Sequence, residues 1–135
     1  MTQKEKDLLL NDLCARLSHR PKIWFAESNS NDHLQSIWYD NLEGWQVDGD
    51  NLSAPVYAVK PYLFPLSSTT EEQKREYNSL RDFVPTYHYE YGDIVEDTEL
   101  YDNFESIDYL IANHFDYRGL IPLGLAIDAT DLNIY

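Results

Sequence analysis

The chain has 135 residues, a formal net charge of −14 and one cysteine. This length favours a single domain, residues 1–135, with its own hydrophobic core. The acidic balance argues against direct binding to nucleic acid or to an anionic membrane, since both need clustered Lys and Arg. It favours solubility or a basic partner.

The cellular compartment is indicated by what the sequence lacks. A lone cysteine, Cys14, cannot form an internal disulfide, which argues against a secreted disulfide scaffold. The first residues lack the apolar core of a signal peptide, and no apolar run reaches the length of a membrane span. We therefore expect a cytoplasmic protein.

The N-terminal segment has the pattern of an amphipathic helix. Thr2 and Glu5 have the spacing of a capping box, and leucines then recur at helical spacing. The pattern predicts a helix from about Gln3 to Leu17. Cys14 lies at the edge of the apolar stripe, and we interpret it as a small core residue rather than a nucleophile.

Short runs of β-branched and aromatic residues alternate with turn residues between Lys22 and Pro61. The dipeptide Asp48-Gly49 is a strong hairpin signal. Together they predict a small antiparallel meander of three or four strands. The three tryptophans are expected to supply its core, although one of them could lie on the surface. These residues are Trp24, Trp38 and Trp45.

Two further segments carry proline and capping signals. Pro61 and Pro65 predict an extended connector, because proline disfavours both a helix and a central strand. Two overlapping capping boxes within residues 68–72 predict a helix from about Thr70 to Phe83, ended by Pro85. The side chains expected to face inward are Tyr77, Leu80 and Phe83.

A third helix is predicted near the C-terminus. Its capping box is Asp102-x-x-Glu105, and it should end near His114 to Tyr117, with Gly119 as a cap. Its apolar face is formed by Phe104, Ile107, Leu110, Ile111 and Phe115. The apolar segment that follows is broken by proline and glycine, so we expect an extended tail or one short strand.

The predicted fold class is α+β. It comprises an N-terminal helix, a small antiparallel sheet of three or four strands, two further helices and an apolar C-terminal tail. The runs that define these elements show no internal repeat and no low-complexity linker.

A resemblance to a known family rests on three blocks of sequence. They are NDLCARL (Asn11 to Leu17), VKPYLFPLSSTTEEQK (Val59 to Lys74) and FDYRGLIPLGLAIDAT (Phe115 to Thr130), under a third of the chain. They resemble short acidic proteins of unknown function from gut anaerobic bacteria and from their phages and mobile elements. The resemblance implies no chemistry. A phage or mobile-element setting implies, by association, a protein that binds and disables a host machine.

Candidate metal and catalytic residues are sparse. His88-x-Glu90 and His114-x-Asp116 could supply ligands if both pairs converged, but no zinc spacing is present. Asp128 and Asp131 fit a capped turn better than a calcium loop, which needs more ligands. No G-x-S-x-G and no glycine-rich phosphate loop occur. We expect no cofactor, no metal and no enzymatic activity, with an enzyme that uses Cys14 or the histidines as the third alternative.

Negative charge is concentrated between Asp82 and Tyr117, where ten carboxylates occur without Lys or Arg. Carboxylates follow a three-residue period from Glu90 to Asp108, which would keep them on one edge of an extended polyproline segment. Tyrosines alternate just before them as on one face of a strand, where they could also be core. The predicted partner-binding residues are Tyr87, Tyr89, Glu90, Tyr91, Asp93, Glu96, Asp97, Glu99, Tyr101 and Asp102.

The leading hypothesis is a non-catalytic interaction protein. Its acidic segment would engage a basic protein surface, such as a host enzyme that handles nucleic acid, and could inhibit it by nucleic-acid mimicry. The alternative is a small domain that self-associates as a homo-oligomer or binds a small apolar ligand, with its charge serving solubility alone.

Overall fold

The structure is a computed structural model that describes residues 1–25, 31–38, 46–48 and 51–135. The chain divides into two compact units. The first comprises Met1–Ser68 and Ile111–Tyr135, and the second comprises Thr69–Leu110. In sequence, the second unit is therefore an insertion in the first. The single-domain prediction for residues 1–135 stays a prediction.

The elements confirm the α+β class and the N-terminal helix. In chain order they are α1 (Gln3–Arg16), β1 (Lys22–Phe25), β2 (Asn31–Trp38), β3 (Gln46–Asp48), β4 (Asn51–Pro55), β5 (Val59–Leu63), α2 (Glu71–Leu80), β6 (Asp82–Glu90), β7 (Asp93–Tyr101), α3 (Phe104–Ala112) and β8 (Ile127–Asp128).

Helix α1 begins as its capping box predicts. The Glu5 backbone N–H donates to Thr2 Oγ1, and the Thr2 N–H donates to Glu5 Oε1, each at 3.1 Å. The buried face carries Leu9 and Leu13 with two charged residues described below. Cys14 is exposed, so its interpretation as a core residue is wrong. One residue past Leu13, it is rotated about 100° away from the buried stripe.

The first unit contains a mixed sheet rather than an antiparallel meander. Among the described residues its strand order is β3-β4-β2-β1-β5-β8. In a meander, β3 would lie between β2 and β4. Here β4 lies between β2 and β3 and pairs in parallel with β2, and β5 and β8 also pair in parallel. Strands β3 and β4 pair antiparallel with Asp48 opposite Asn51, as the hairpin signal predicts, while Gly49 lies outside the described residues.

Strand β5 contradicts the prediction of an extended connector. It pairs antiparallel with β1, which places Pro61 opposite Ile23. On its other side β5 pairs with β8 only at Tyr62 and Leu63. Pro61 therefore has a strand neighbour on one side alone, a position where its missing N–H is tolerated.

The core of the first unit lies between α1, the sheet and the C-terminal segment. Ile23 and Phe25 are fully buried on one face of β1, whereas Trp24 alternates to the other face and is half-buried. The half-buried position of Trp24 is compatible with the prediction, which allowed one tryptophan outside the core. The Trp38 side chain and Trp45 lie outside the described residues. The core cluster is Leu9, Leu13, Ile23, Phe25, Leu34, Ala54, Val56, Val59, Leu63, Leu120, Leu125 and Ala126.

The C-terminal segment is mostly turns and contains one short strand, β8, which confirms one of the two predicted forms. The Asp116 side chain stabilises the turn that precedes β8. Its two carboxylate oxygens accept the backbone N–H groups of Leu120, at 2.8 Å, and Ile121, at 2.9 Å. Leu120 is thereby held in the core.

In the second unit, α2 is shorter than predicted. Its capping box is Thr70 with Gln73, and the helix ends at Leu80. Phe83 and Pro85 instead belong to β6, where Phe83 is 65% exposed. The difference has a physical cause: Pro85 is typical of a helix stop, but a proline is also tolerated in a strand with a free edge.

Helix α3 is capped by a different pair from the predicted one. The Ser106 N–H donates to Asn103 Oδ1, and the Asn103 N–H donates to Ser106 Oγ, each at 2.9 Å. Asp102 therefore precedes the cap. The helix ends at Ala112, earlier than predicted, and Phe104 is 86% exposed rather than buried.

Candidate protein-interaction site

Residues 82–101 form a two-stranded antiparallel hairpin, named the hairpin below. Strands β6 and β7 pair from Asp82 opposite Tyr101 to Glu90 opposite Asp93. The two connecting residues, Tyr91 and Gly92, have φ angles of 51° and 86°. Positive φ at both positions defines the type I′ turn, whose twist suits tight hairpins.

Strand alternation gives the hairpin two chemically different faces. The first, the aromatic face, carries Phe83, Pro85, Tyr87, Tyr89, Ile94, Glu96, Thr98 and Leu100. The second, the acidic face, carries Asp82, Val84, Thr86, His88, Glu90, Asp93, Val95, Asp97, Glu99 and Tyr101.

The aromatic face is largely uncovered. Phe83 and Tyr87 are each 65% exposed, Ile94 is 66% exposed and Tyr89 is 79% exposed. Scattered exposed apolar residues are ordinary, but a contiguous exposed patch marks a surface of interaction. These tyrosines therefore lie on a strand face, as the alternation predicts, yet they are not core.

The acidic side chains do not share one edge. Glu96 lies on the aromatic face opposite Tyr87, whereas Glu90, Asp93 and Glu99 lie on the acidic face. The polyproline interpretation of the three-residue period is wrong, because β7 is a strand and its side chains alternate with a period of two.

The base of the hairpin is fixed by a polar network, which we call the root. Arg81 Nη2 donates to the Leu100 carbonyl at 2.8 Å, and Arg81 Nε lies 3.4 Å from Asp102 Oδ1. The Tyr77 hydroxyl donates to Asp102, whose carboxylate also accepts from Ser106 Oγ at 3.2 Å. Burial, followed by this hydrogen bond, raises the pKa of Tyr77 to about 12.

The predicted site residues are therefore divided among four places. Tyr87, Tyr89 and Glu96 are on the aromatic face, Tyr91 is in the turn at 98% exposure, and Asp102 belongs to the root. The others lie on the acidic face: Glu90, Asp93, Asp97, Glu99 and Tyr101. There the hydrogen bond to Glu99 raises the pKa of the Tyr101 hydroxyl.

Sequence reasoning missed two exposed members of the aromatic face, Phe83 and Ile94. A signal was present. Apolar or aromatic residues occupy every second position from Phe83 to Tyr91, and Gly92 follows directly as a turn residue. That alternation predicts a strand and a turn once Pro85 is accepted within an edge strand.

Other candidate chemistry has structural explanations in the described residues. The His114 ring stacks on Tyr135 with 3.6 Å between centroids, and Asp116 accepts the two backbone hydrogen bonds given above. Asp128 Oδ1 accepts the Thr130 N–H at 2.9 Å, as expected for a capped turn. The part of the chain that the structure describes groups no three His, Cys, Asp or Glu side chains suited to a metal.

None of the described helices combines the length and the apolar character needed to cross a bilayer. In comparisons with known proteins, no family model, no curated protein and no solved structure matches the chain.

Proposed function

We propose that the protein is a non-catalytic interaction protein whose hairpin binds a basic protein surface. The observation that carries this proposal is the composition of the exposed ribbon. Six carboxylates lie within residues 82–101 without any Lys or Arg, beside uncovered aromatic side chains. Exposed tyrosine contributes contact area with a polar tip, which interfaces favour.

The carboxylates supply long-range attraction rather than most of the affinity. An uncompensated acidic ribbon draws a positively charged surface towards it and raises the association rate, an effect that salt screens. Close contacts of the side chains then determine how long the complex lasts.

The proposed partner is a host enzyme that handles nucleic acid in the cytoplasm. Such enzymes line their grooves with Lys and Arg to hold phosphates, and an acidic ribbon can occupy such a groove. The resemblance to proteins of phages and mobile elements supports an inhibitor of host defence that acts by nucleic-acid mimicry. Any inhibition would then arise from occupation of the groove.

The test compares the wild-type protein with a neutralised variant, Asp93→Asn/Asp97→Asn/Glu99→Gln. Both are used to capture host proteins at low and at high salt, and each captured protein is then purified and titrated with both forms. We expect wild-type affinity to fall with salt and with neutralisation, and duplex DNA to compete. A partner whose affinity is the same at both salt concentrations would refute the proposal.

Self-association is the second candidate, and the uncovered aromatic face favours it. Two copies could stack these faces and bury the apolar side chains, but each copy carries a net charge of −14. Light scattering at low and high salt separates the candidates: a dimer that strengthens with salt supports self-association, whereas a monomer under both conditions supports the basic partner.

A further inference from the structure

One carboxylate lies among the aromatic side chains of the hairpin. Glu96 is directly opposite Tyr87 in the strand register, and Tyr89 is its diagonal neighbour on the same face. Cross-strand partners on one face have Cβ atoms about 5 Å apart, and diagonal neighbours are still within reach of aromatic rings. Glu96 and both tyrosines are exposed. They thus form an open acidic position on an apolar surface.

We infer that the aromatic face is the contact surface for the partner, and that Tyr87, Tyr89 and Glu96 receive an arginine side chain from it. This inference rests on the proposed function and specifies which side of the hairpin carries it. A guanidinium group can stack on a tyrosine ring while it forms two parallel hydrogen bonds with a carboxylate. Lysine offers a point charge without the planar fork, so arginine fits better.

The acidic face is less suited to direct contact because several of its carboxylates are already engaged. Asp82 Oδ1 accepts Asn103 Nδ2 at 3.1 Å, and Asp97 Oδ1 accepts the Thr98 N–H at 2.8 Å. Glu99 accepts the Tyr101 hydroxyl. Within the part of the chain that the structure describes, Glu96 makes no hydrogen bond or ion pair, so its carboxylate is available to a partner.

Charge complementarity also selects the occupant. A second copy stacked on the aromatic face would bring another Glu96 into the same apolar surface, and an unpaired carboxylate there is costly. A partner that presents arginine among apolar residues pairs this carboxylate and covers Phe83 and Ile94 as well. The acidic face then remains in solvent and steers the encounter.

The experiment uses the full chain and defined probes. A short amidated peptide of alternating arginine and leucine is titrated into the labelled protein, and backbone amide shifts are followed by NMR. Counterparts that contain lysine or neutral citrulline in place of arginine serve as controls. We expect the largest shifts at Tyr87, Tyr89, Ile94 and Glu96, and affinity in the order arginine, lysine, citrulline.

A matched pair of variants tests the face directly. Glu96→Gln and Asp97→Asn each remove one charge from adjacent exposed positions, but on opposite faces. We expect Glu96→Gln to weaken the arginine peptide about fivefold and Asp97→Asn by less than about twofold, since the first loses a charge-assisted contact and the second only steering. Amide spectra without peptide verify that both variants remain folded.

The outcomes separate this inference from the proposed function. If shifts follow the acidic face, or if Asp97→Asn costs as much as Glu96→Gln, the inference is overturned while a basic partner still stands. If none of the cationic peptides binds anywhere on the hairpin, both are overturned.

Discussion

At the scale of single residues, the first unit is tied together by a buried ion pair. Asp12 is 0% exposed and Arg16 is 1% exposed. Arg16 Nε donates to Asp12 Oδ2 at 2.7 Å, and Nη2 donates to Asp12 Oδ1 at 3.1 Å and to the Phe115 carbonyl at 2.7 Å. The pair therefore joins α1 to the segment that follows α3.

Loss of one partner should be far more damaging than loss of both. Arg16→Met leaves the Asp12 carboxylate buried, and the cation that remains beside it among the described residues is Arg118, whose Nε lies 3.4 Å from Asp12 Oδ1. We expect the free energy of unfolding to fall by about 3–5 kcal/mol. The double variant Asp12→Leu/Arg16→Met should lose less, because no buried charge remains. Urea denaturation measures both, and equal losses would contradict the argument.

The Tyr77 hydroxyl of the second unit predicts how the stability of the fold responds to high pH. The pKa of Tyr77 is about 12, raised by burial and by its hydrogen bond to Asp102. The unfolded chain releases this proton near pH 10, so between pH 10 and 12 only the folded state keeps it. Stability contributed by this hydroxyl is complete below pH 10 and is lost as pH rises through 12.

Tyr77→Phe should therefore flatten the loss of stability above pH 10. The measurement is the urea midpoint from pH 8 to pH 12 for the wild type and the variant. Tyr57→Phe is the matched control, since Tyr57 is 44% exposed. If the urea midpoint of Tyr77→Phe falls with pH as steeply as that of the wild type, the root does not retain the Tyr77 hydroxyl proton above pH 10.

At the scale of elements, the hairpin turn contains a correctable strain. Tyr91 has φ 51°, a left-handed conformation that tyrosine disfavours and asparagine tolerates. Tyr91→Asn creates the preferred Asn-Gly pair for a type I′ turn and should stabilise the hairpin by about 0.5–1 kcal/mol. Slower amide exchange across β6 and β7 would verify the gain, with Tyr89→Asn as the control that keeps the original turn.

The helix starts could be predicted because their signals are local. Thr2 and Glu5 cap α1 as expected, since a capping box depends on residues three apart. The α2 box, at Thr70 and Gln73, lies one and two positions later than the two predicted boxes, because neighbouring Ser and Thr residues offer competing caps. Local rules thus identify a helix start to within a residue or so.

Local sequence signals do not predict the order of the strands in the sheet or the faces of the hairpin. The parallel pairing of β2 with β4 is non-local, and nothing within either strand specifies its neighbour. The sequence predicts a helix as far as Phe83 because Pro85 has two meanings, a helix stop or an edge-strand residue, whereas Tyr87 and Tyr89 lie on a strand as their alternation predicts. The candidate acids were found by charge alone, but their faces depend on the strand register.

At the scale of the whole molecule, the family-like blocks meet in the first unit. Arg16 of the first block, which is paired with Asp12, donates from Nη2 to the Phe115 carbonyl of the third block at 2.7 Å. Phe64 of the second block accepts the backbone N–H of Asp116 in the third block at 2.8 Å, and its own N–H donates to the carbonyl of His114, just before that block, also at 2.8 Å. These contacts lie within the first unit, whereas residues 69–74 of the second block belong to the second unit and the hairpin lies outside the three blocks.

The charge distribution predicts that salt stabilises the protein. The ten carboxylates between Asp82 and Tyr117 repel one another at low ionic strength. An increase from 0.01 to 0.15 M salt shortens the screening length from about 30 to 8 Å and should raise the melting temperature by about 3 °C. The variant Asp93→Asn/Asp97→Asn/Glu99→Gln should respond less, which calorimetry can show. An equal rise would place the repulsion elsewhere.

The pairing of β6 with β7 also gives short deletions a large effect on recognition. Removal of one opposed pair, Val84 and Glu99, would shorten the ribbon by one step and leave its turn intact. Every side chain beyond the deletion would then point to the opposite side relative to Arg81 at the root. Loss of two codons would thus exchange the directions of the aromatic and acidic faces while removing only Val84 and Glu99 from the ribbon.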